Sequence, residues 1–127
     1  MTISETLFEA YAKAKGNVVI RFNDTADTKE IRASQPADYL LVSDKGISFA
    51  EVKETKQSTF SFKAVRPSQW LHADLVTKKK QNYTFYLLSL SDNKWYHVPA
   101  SVLLTAKREG RKSIKFEELK EYEVHER

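Results

Sequence analysis

Residues 36–53, PADYLLVSDKGISFAEVK, contain the pattern that decides the fold. Two apolar runs, 39–42 and 47–52, flank residues 43–46, SDKG, which favour a tight chain reversal. The pattern predicts a β-hairpin. With a two-residue turn at Asp44 and Lys45, Asp38 lies opposite Glu51. A bulge at Gly46 would instead shift the pairing by one residue and move Glu51 to the other face of the sheet.

Asp38, Glu51 and Lys53 form the one group in this chain that indicates a chemical mechanism. Like charges that face each other across a ladder destabilise a sheet, since their Cβ atoms lie about 5 Å apart. Lys53 follows Glu51 by two residues and therefore shares its face. A divalent cation between the carboxylates would remove the repulsion, and Mg²⁺ commonly binds one or two carboxylates. The alternative is that Glu51 and Lys53 are a solvated ion pair on an exposed strand.

Composition excludes several functional classes. The chain has 127 residues, which predicts one domain over 1–127, and it has no cysteine. Disulfides, thiolate zinc sites and a catalytic thiol are therefore excluded. The three glycines lie far apart, so a glycine-rich phosphate loop is also excluded. No apolar run reaches membrane-spanning length and the N-terminus is too polar for a signal peptide, so we expect a cytoplasmic protein that does not contact a membrane. We also expect no small-molecule cofactor.

The charge distribution indicates possible contacts with nucleic acid. The net charge is +4, and Lys78, Lys79 and Lys80 are consecutive. Such a basic cluster suits phosphate contacts and salt-sensitive binding. The alternative is a solvated helix end, where the helix dipole favours cations.

Hydrophobic periodicity predicts the elements around the hairpin. We expect helices over 3–15, 67–81 and 100–109, a strand over 17–22 and a second hairpin over 83–98. The first helix is predicted to begin at the N-cap Ser4, and Pro67 lies in the first turn of the second. Residues 23–35 are polar and aperiodic, which indicates a mobile loop. The order of elements predicts a mixed α/β domain with a central sheet flanked by helices.

Two of these helices carry predicted apolar stripes. The stripe of the first consists of Leu7, Phe8, Tyr11 and Ala12. The stripe of the second consists of Trp70, Leu71, Leu75 and Val76. Gln69 lies off the second stripe, so it either faces the same cleft as the hairpin acids or belongs to the surface.

The hairpin and its surroundings resemble the PD-(D/E)XK nuclease superfamily and, within it, the RecU-type Holliday junction resolvases. The resemblance extends from about residue 34 to 122. It is carried by Pro36-Ala37-Asp38, by Ala50-Glu51-Val52-Lys53-Glu54-Thr55-Lys56, by Phe60-Ser61-Phe62, by Gln69 with His72, and by Gly110-Arg111-Lys112-Ser113-Ile114. It implies a restriction-endonuclease-like fold, a mixed central sheet flanked by helices.

The resemblance also implies a function. It implies a Mg²⁺-dependent, structure-selective endonuclease, with Mn²⁺ as a substitute, that acts as a homodimer on branched DNA and resolves four-way junctions by paired cleavage. The implied metal ligands are Asp38, Glu51 and Val52. The implied catalytic residues are Asp38, Glu51, Lys53, Gln69 and the helix acid Glu5, for which Glu9 is a rival. The implied DNA contacts are Lys56, Lys78, Lys79 and Lys80.

One departure from the family pattern concerns the stalk, a long insertion before the motif aspartate. Residues 23–35 are far shorter, so we expect junction selectivity to be reduced or achieved otherwise. Two alternatives to a junction resolvase therefore stay open: a less selective DNA endonuclease and a DNA-binding module without catalysis.

The two carboxylates favour the charged form of Lys53. We therefore expect its ammonium group to stabilise charge at the phosphate rather than to act as a base.

Overall fold

The structure, a computed structural model, describes residues 1–22 and 35–125. Within them lie the helices α1 (Ile3–Ala14), α2 (Pro67–Lys78) and α3 (Ala100–Arg108). The strands are β1 (Val18–Arg21), β2 (Tyr39–Ser43), β3 (Gly46–Thr55), β4 (Thr59–Ser61), β5 (Asn82–Ser89), β6 (Lys94–Pro99) and β7 (Ser113–Lys115). Two 3₁₀ helices, Phe62–Ala64 and Phe116–Tyr122, complete the described elements.

Five strands form one mixed sheet in the order β1-β2-β3-β5-β6. β3 and β5 are parallel, and every other neighbouring pair is antiparallel. The connection from β3 to β5 contains β4 and α2, as a parallel crossover requires. β4 pairs with β7 in a separate two-stranded sheet. The predicted central sheet with flanking helices is confirmed.

The hairpin has the predicted register. Val42 pairs with Ile47, and the ladder closes at Ser43 and Gly46 without a bulge. Gly46 has a φ of +119°, in the region that favours glycine. The ladder ends at the pair Tyr39 and Ala50, so Asp38 is the next residue and lies on the face of Glu51. The geometric condition for a shared acidic site is therefore met.

The sheet separates two apolar cores. Phe8 and Ala12 of α1 pack on one face, and α2 and α3 cover the other. Glu51 is in register with Phe85, which belongs to the core beneath α2 and α3. The period-2 alternation of the strand thus places Glu51 and Lys53 on the α2 side.

The predicted stripe of α2 is partly wrong. Leu71 and Leu75 are 56% and 49% exposed, whereas Trp70 and Gln69 are buried. The indole of Trp70 packs against two phenylalanine rings with centroids 5.4 and 5.7 Å away, and its size sets the rotation of the helix. Successive helical residues are about 100° apart, so burial of Trp70 turns Leu71 outward. The helix also ends at Lys78 rather than at residue 81.

The start of α1 also differs from the prediction. The N-cap is Thr2, whose hydroxyl accepts a hydrogen bond from Glu5 N at 3.1 Å, and the Glu5 carboxylate accepts one from Thr2 N at 2.9 Å. This capping box satisfies two backbone donors, and Ser4 is buried instead. Phe8 is buried as predicted, but Leu7 is 47% exposed.

The predicted loop over 23–35 lies outside the described residues except for Gln35. In the part of the chain that the structure describes, no helix has the length and apolarity needed to cross a membrane.

A matched pair of leucines tests the assignment of the core. Leu103→Ala in α3 removes a fully buried side chain and should lower the free energy of unfolding by about 2–5 kcal/mol. Leu71→Ala in α2 should change it by less than about 0.5 kcal/mol, since Leu71 faces solvent. Urea denaturation of both variants measures the difference. Equal losses would contradict the observed rotation of α2.

Candidate active site

A polar pocket lies where α1, the start of β2, the end of β3 and the start of α2 meet. Its volume is about 170 Å³, and we call it the acid pocket. It is lined by Glu5, Arg21, Phe22, Gln35, Asp38, Lys53, Arg66 and Gln69. Glu51 lies fully buried behind this lining, with its carboxylate against Lys53. The structure thus brings together the two hairpin acids, the lysine, the helix glutamine and one α1 acid.

Two hydrogen bonds fix Asp38, and a third holds the segment before it. Its Oδ2 accepts from Val52 N at 2.9 Å, which ties the carboxylate to β3. Its carbonyl accepts from Phe22 N at 2.9 Å, which extends the pairing of β1 and β2. The hydroxyl of Tyr83 donates to the Pro36 carbonyl at 2.5 Å and holds the segment that leads into Asp38. Asp38 held in this way lines the acid pocket.

Glu51 is an unusually placed carboxylate. Its side chain is 0% exposed, and Oε2 lies 3.0 Å from Lys53 Nζ. Within the described residues, neither Glu51 oxygen accepts a hydrogen bond of good geometry. Burial, with the nearby charge of Asp38, raises the pKa of Glu51 to about 7, although Lys53 opposes the shift. Burial likewise raises the pKa of Asp38. The two acids are therefore poorly compensated as anions.

The Val52 carbonyl points toward the same place. In a β-strand, the N–H and C=O groups of one residue point to the same neighbouring strand. Because Val52 N donates to Asp38, the Val52 carbonyl is also directed toward the Asp38 side of β3. One backbone oxygen and two carboxylates are thus available at this edge. Within residues 1–22 and 35–125, no group of three His, Asp or Glu side chains is placed to hold a metal ion.

The geometry separates the two rival acids of α1. Glu5 lines the acid pocket, and its charge contributes to the raised pKa of Asp38. Glu9 instead accepts a hydrogen bond from the Tyr39 hydroxyl at 2.6 Å. The Ser4 amide donates to Glu54 of β3 at 3.0 Å, which fixes the first turn of α1 at the end of β3. Of the two rivals, Glu5 is therefore the one that lines the acid pocket, and its catalytic role stays a prediction.

The start of α2 supplies hydrogen-bond donors to the pocket. Gln69 is fully buried, and its Oε1 accepts from Arg66 N at 2.9 Å. In the described part of the chain, Gln69 Nε2 and Arg66 Nε are both buried without a hydrogen-bond partner. The prediction that Gln69 faces the cleft of the hairpin acids is consistent with this geometry.

The lysine cluster of residues 78–80 lies apart from the pocket. It begins at Lys78, the last residue of α2, about 14 Å along the helix axis from Gln69. Lys78 pairs with Asp74 at 3.0 Å, and all three lysines are exposed. Lys56 is also exposed and lies directly after the end of β3, and its charge contributes to the lowered pKa of Glu54.

Sequence reasoning missed four residues of the pocket wall: Arg21, Phe22, Gln35 and Arg66. The signal for Arg66 is its place directly before Pro67, at the N-cap of a helix whose third residue is Gln69. Arg21 and Phe22 lie at the end of β1, and only the pairing of β1 with β2 brings them beside Asp38.

The fold and the site define the chain as a nuclease of the PD-(D/E)XK type, with Asp38 directly before β2 and Glu51-Val52-Lys53 on β3. A family model for RecU, described as Recombination protein U, matches residues 14–126. The chain belongs to the RecU family. This membership confirms the predicted resemblance and the predicted enzyme class, the Holliday junction resolvases.

A solved structure supports the fold class. The chain is similar to Hjc from Archaeoglobus fulgidus, described as a Holliday junction resolvase from an archaeal hyperthermophile, with a TM-score of 0.57 and 13% identity. The match covers 77% of this chain and 75% of that chain. At this identity the likeness concerns the fold, and it confirms the predicted restriction-endonuclease-like class. No curated protein sequence matches the chain significantly.

Proposed function

We propose that this chain is one nuclease domain that resolves four-way DNA junctions by Mg²⁺-dependent cleavage of two phosphodiesters. The observation that carries the proposal is the convergence of Asp38, Glu51 and Lys53 at one polar pocket. Family membership supports the enzyme class, and the pocket supports the chemistry. A phosphodiester is an anion, so its hydrolysis requires positive charge at the reacting oxygens.

The oxygen donors of the site fit Mg²⁺. Asp38 and Glu51 offer carboxylate oxygens, and the Val52 carbonyl adds a neutral one. Glu51 Oε1 is buried without a partner in the described structure, and the pKa of Glu51 is raised, as expected of an acid that lacks its cation. Mg²⁺ typically combines one or two carboxylates with waters and phosphate oxygens, and Mn²⁺ accepts the same donors. A bound cation supplies Lewis-acid chemistry to the phosphate and to the nucleophilic water.

Lys53 and Gln69 act on the phosphate in this proposal. The Lys53 side chain is 23% exposed, held against Glu51 and present in the pocket wall, so its ammonium faces an entering anion. Gln69 Nε2 is a second donor, and Glu5 orients the attacking water by accepting a hydrogen bond. Overall, a water oxygen bonds to phosphorus, one sugar oxygen leaves with its bonding electrons, and a proton passes from water to that oxygen.

A homodimer and an extended DNA contact complete the proposal. A four-way junction has two equivalent strands to cut, and a two-fold dimer presents two equivalent sites. We propose Lys56 as a backbone contact next to the cut, and Lys78, Lys79 and Lys80 as contacts to a more distant part of the duplex. These contacts are sequence-independent and salt-dependent.

A comparison of substrates tests the proposed function. We expect labelled four-way junctions to be cut with Mg²⁺ or Mn²⁺, at paired positions in two strands, and to remain intact in EDTA. A linear duplex of the same sequence should be cut far more slowly. Denaturing gels measure the cleavage, and sedimentation measures the dimer.

Each alternative predicts a different result. Equal rates on junction and linear duplex would indicate the less selective endonuclease. Junction binding without any nick under all metal conditions would indicate the DNA-binding module.

A further inference from the structure

Arg66 is a cation of the acid pocket to which no role has been assigned. It is the N-cap residue of α2 and lines the pocket together with Asp38 and Lys53. Its positive charge lowers the pKa of Asp38 and of Glu51, although by less than burial raises them. Because Arg66 also lines the pocket beside Asp38 and Lys53, its guanidinium shares the space that a bound phosphate would occupy.

The Arg66 guanidinium has no partner within the described residues. Its Nε is buried and makes no hydrogen bond, and no carboxylate oxygen lies within salt-bridge distance. Other arginines are paired: Arg108 with Asp74 at 2.9 Å, and Arg111 with Glu118 at 2.7 Å. A buried donor without an acceptor destabilises the fold, and more so when it is charged. An acceptor from outside the chain would remove that destabilisation.

Gln69 provides a second and independent indication of the ligand. Its amide orientation is fixed, because Oε1 accepts from Arg66 N at 2.9 Å. Nε2 must then be the free end, and it is fully buried, without a partner in the described structure, on the wall of the same pocket. The N-terminus of a twelve-residue helix lies beside both donors and adds positive potential. The start of α2 thus presents hydrogen-bond donors to the pocket, whereas the carboxylates of Asp38 and Glu51 come from the hairpin of β2 and β3.

We propose that Arg66 is a substrate-binding residue that holds the scissile phosphodiester through a side-on, two-point contact. Nε and one terminal nitrogen donate to the two non-bridging oxygens, which matches the fork geometry of guanidinium with phosphate. Gln69 Nε2 donates from the same wall, and Lys53 from the β3 side. This inference rests on the proposed function, since it takes the phosphodiester as the substrate.

Two readouts test the proposal. Inorganic phosphate added to the wild-type protein should produce a saturable NMR shift of the Arg66 Nε–H resonance, identified by its absence in Arg66→Lys. The resonance of Arg108, which is already paired, should not move. In single-turnover cleavage, Arg66→Gln should be slower by about 100-fold, as expected for loss of a preorganised donor. Arg66→Lys keeps the charge but loses the fork, so it should also bind phosphate more weakly.

Arg108→Lys is the matched control, since it is the same change on an exposed arginine outside the pocket. It should leave cleavage and phosphate binding unchanged, and melting temperatures confirm that the variants fold. The assignment of Arg66 as a phosphate-binding residue would be overturned if its Nε–H resonance did not shift with phosphate, or if Arg66→Gln cut at the wild-type rate. If the wild type does not cut junctions but the Arg66 resonance still shifts with phosphate, the proposed function is refuted while Arg66 remains an anion-binding residue.

Discussion

Asp38→Asn is expected to abolish Mg²⁺-dependent cleavage, by at least about 10³-fold, while junction binding persists or becomes tighter. The change replaces a cation-binding carboxylate by a neutral amide in the pocket where the phosphate reacts. The fold should survive, because the amide oxygen of asparagine accepts the Val52 N–H bond as Oδ2 does now. Loss of one negative charge also removes repulsion from an entering phosphate. Single-turnover cleavage and gel shifts of a labelled junction measure the two effects.

Asp44→Asn provides the matched control for this experiment. Asp44 belongs to the same hairpin but lies exposed in its turn. The control variant should cut at the wild-type rate. Residual cleavage by Asp38→Asn within tenfold of the wild type would contradict the assignment of Asp38 as a metal ligand.

The register of the central hairpin was predictable because turn chemistry and strand alternation agree. Residues 43–46 specify a tight turn, and the buried Tyr39, Leu41, Ala50 and Val52 all fall on one face. A slip by one residue would move apolar side chains of one strand to the face that carries Asp38 and Glu51. The position of Asp38 opposite Glu51 follows from this register alone, so the central part of the site could be derived from local sequence.

The rotation of α2 could not be derived in the same way. Its sequence places apolar side chains around much of the helix, so periodicity does not decide which of them face the sheet. The contact of Trp70 with Phe62 and Phe85 decides it, and these partners come from other elements. Gln69 is buried in place of Leu71 because its polar side chain lines the acid pocket and accepts a hydrogen bond from Arg66 N. Arg21 and Arg66 could not be predicted as pocket residues for the same reason, since tertiary contacts bring them to the acid pocket.

Glu51→Gln is expected to remove activity and, in EDTA, to stabilise the fold. The pKa of Glu51 is raised from an ordinary value of 4.5 to about 7 in the folded protein. Between these values the folded state binds more protons than the unfolded state, so wild-type stability falls as pH rises. The full penalty, reached above pH 7, is about 3 kcal/mol. Since glutamine carries no charge, the variant should be more stable than the wild type at pH 8 and similar below pH 4.5.

Glu54→Gln should show the opposite sign and serves as the control. Hydrogen bonds from Ser4 hold the pKa of Glu54 below its ordinary value, so its charge stabilises the fold at neutral pH, and that stability is lost as pH falls. Urea denaturation from pH 4 to 8 measures both variants.

The effect of Mg²⁺ on stability distinguishes a metal-binding Glu51 from a Glu51 that is only a buried carboxylate with a raised pKa. In the wild type, Mg²⁺ at one hundred times its dissociation constant should raise the free energy of unfolding by about 2.7 kcal/mol. It should not stabilise Glu51→Gln, because the buried carboxylate that the cation neutralises is gone. Equal stabilisation of both proteins by Mg²⁺ would place the cation elsewhere and leave Glu51 as a buried ion-pair partner of Lys53.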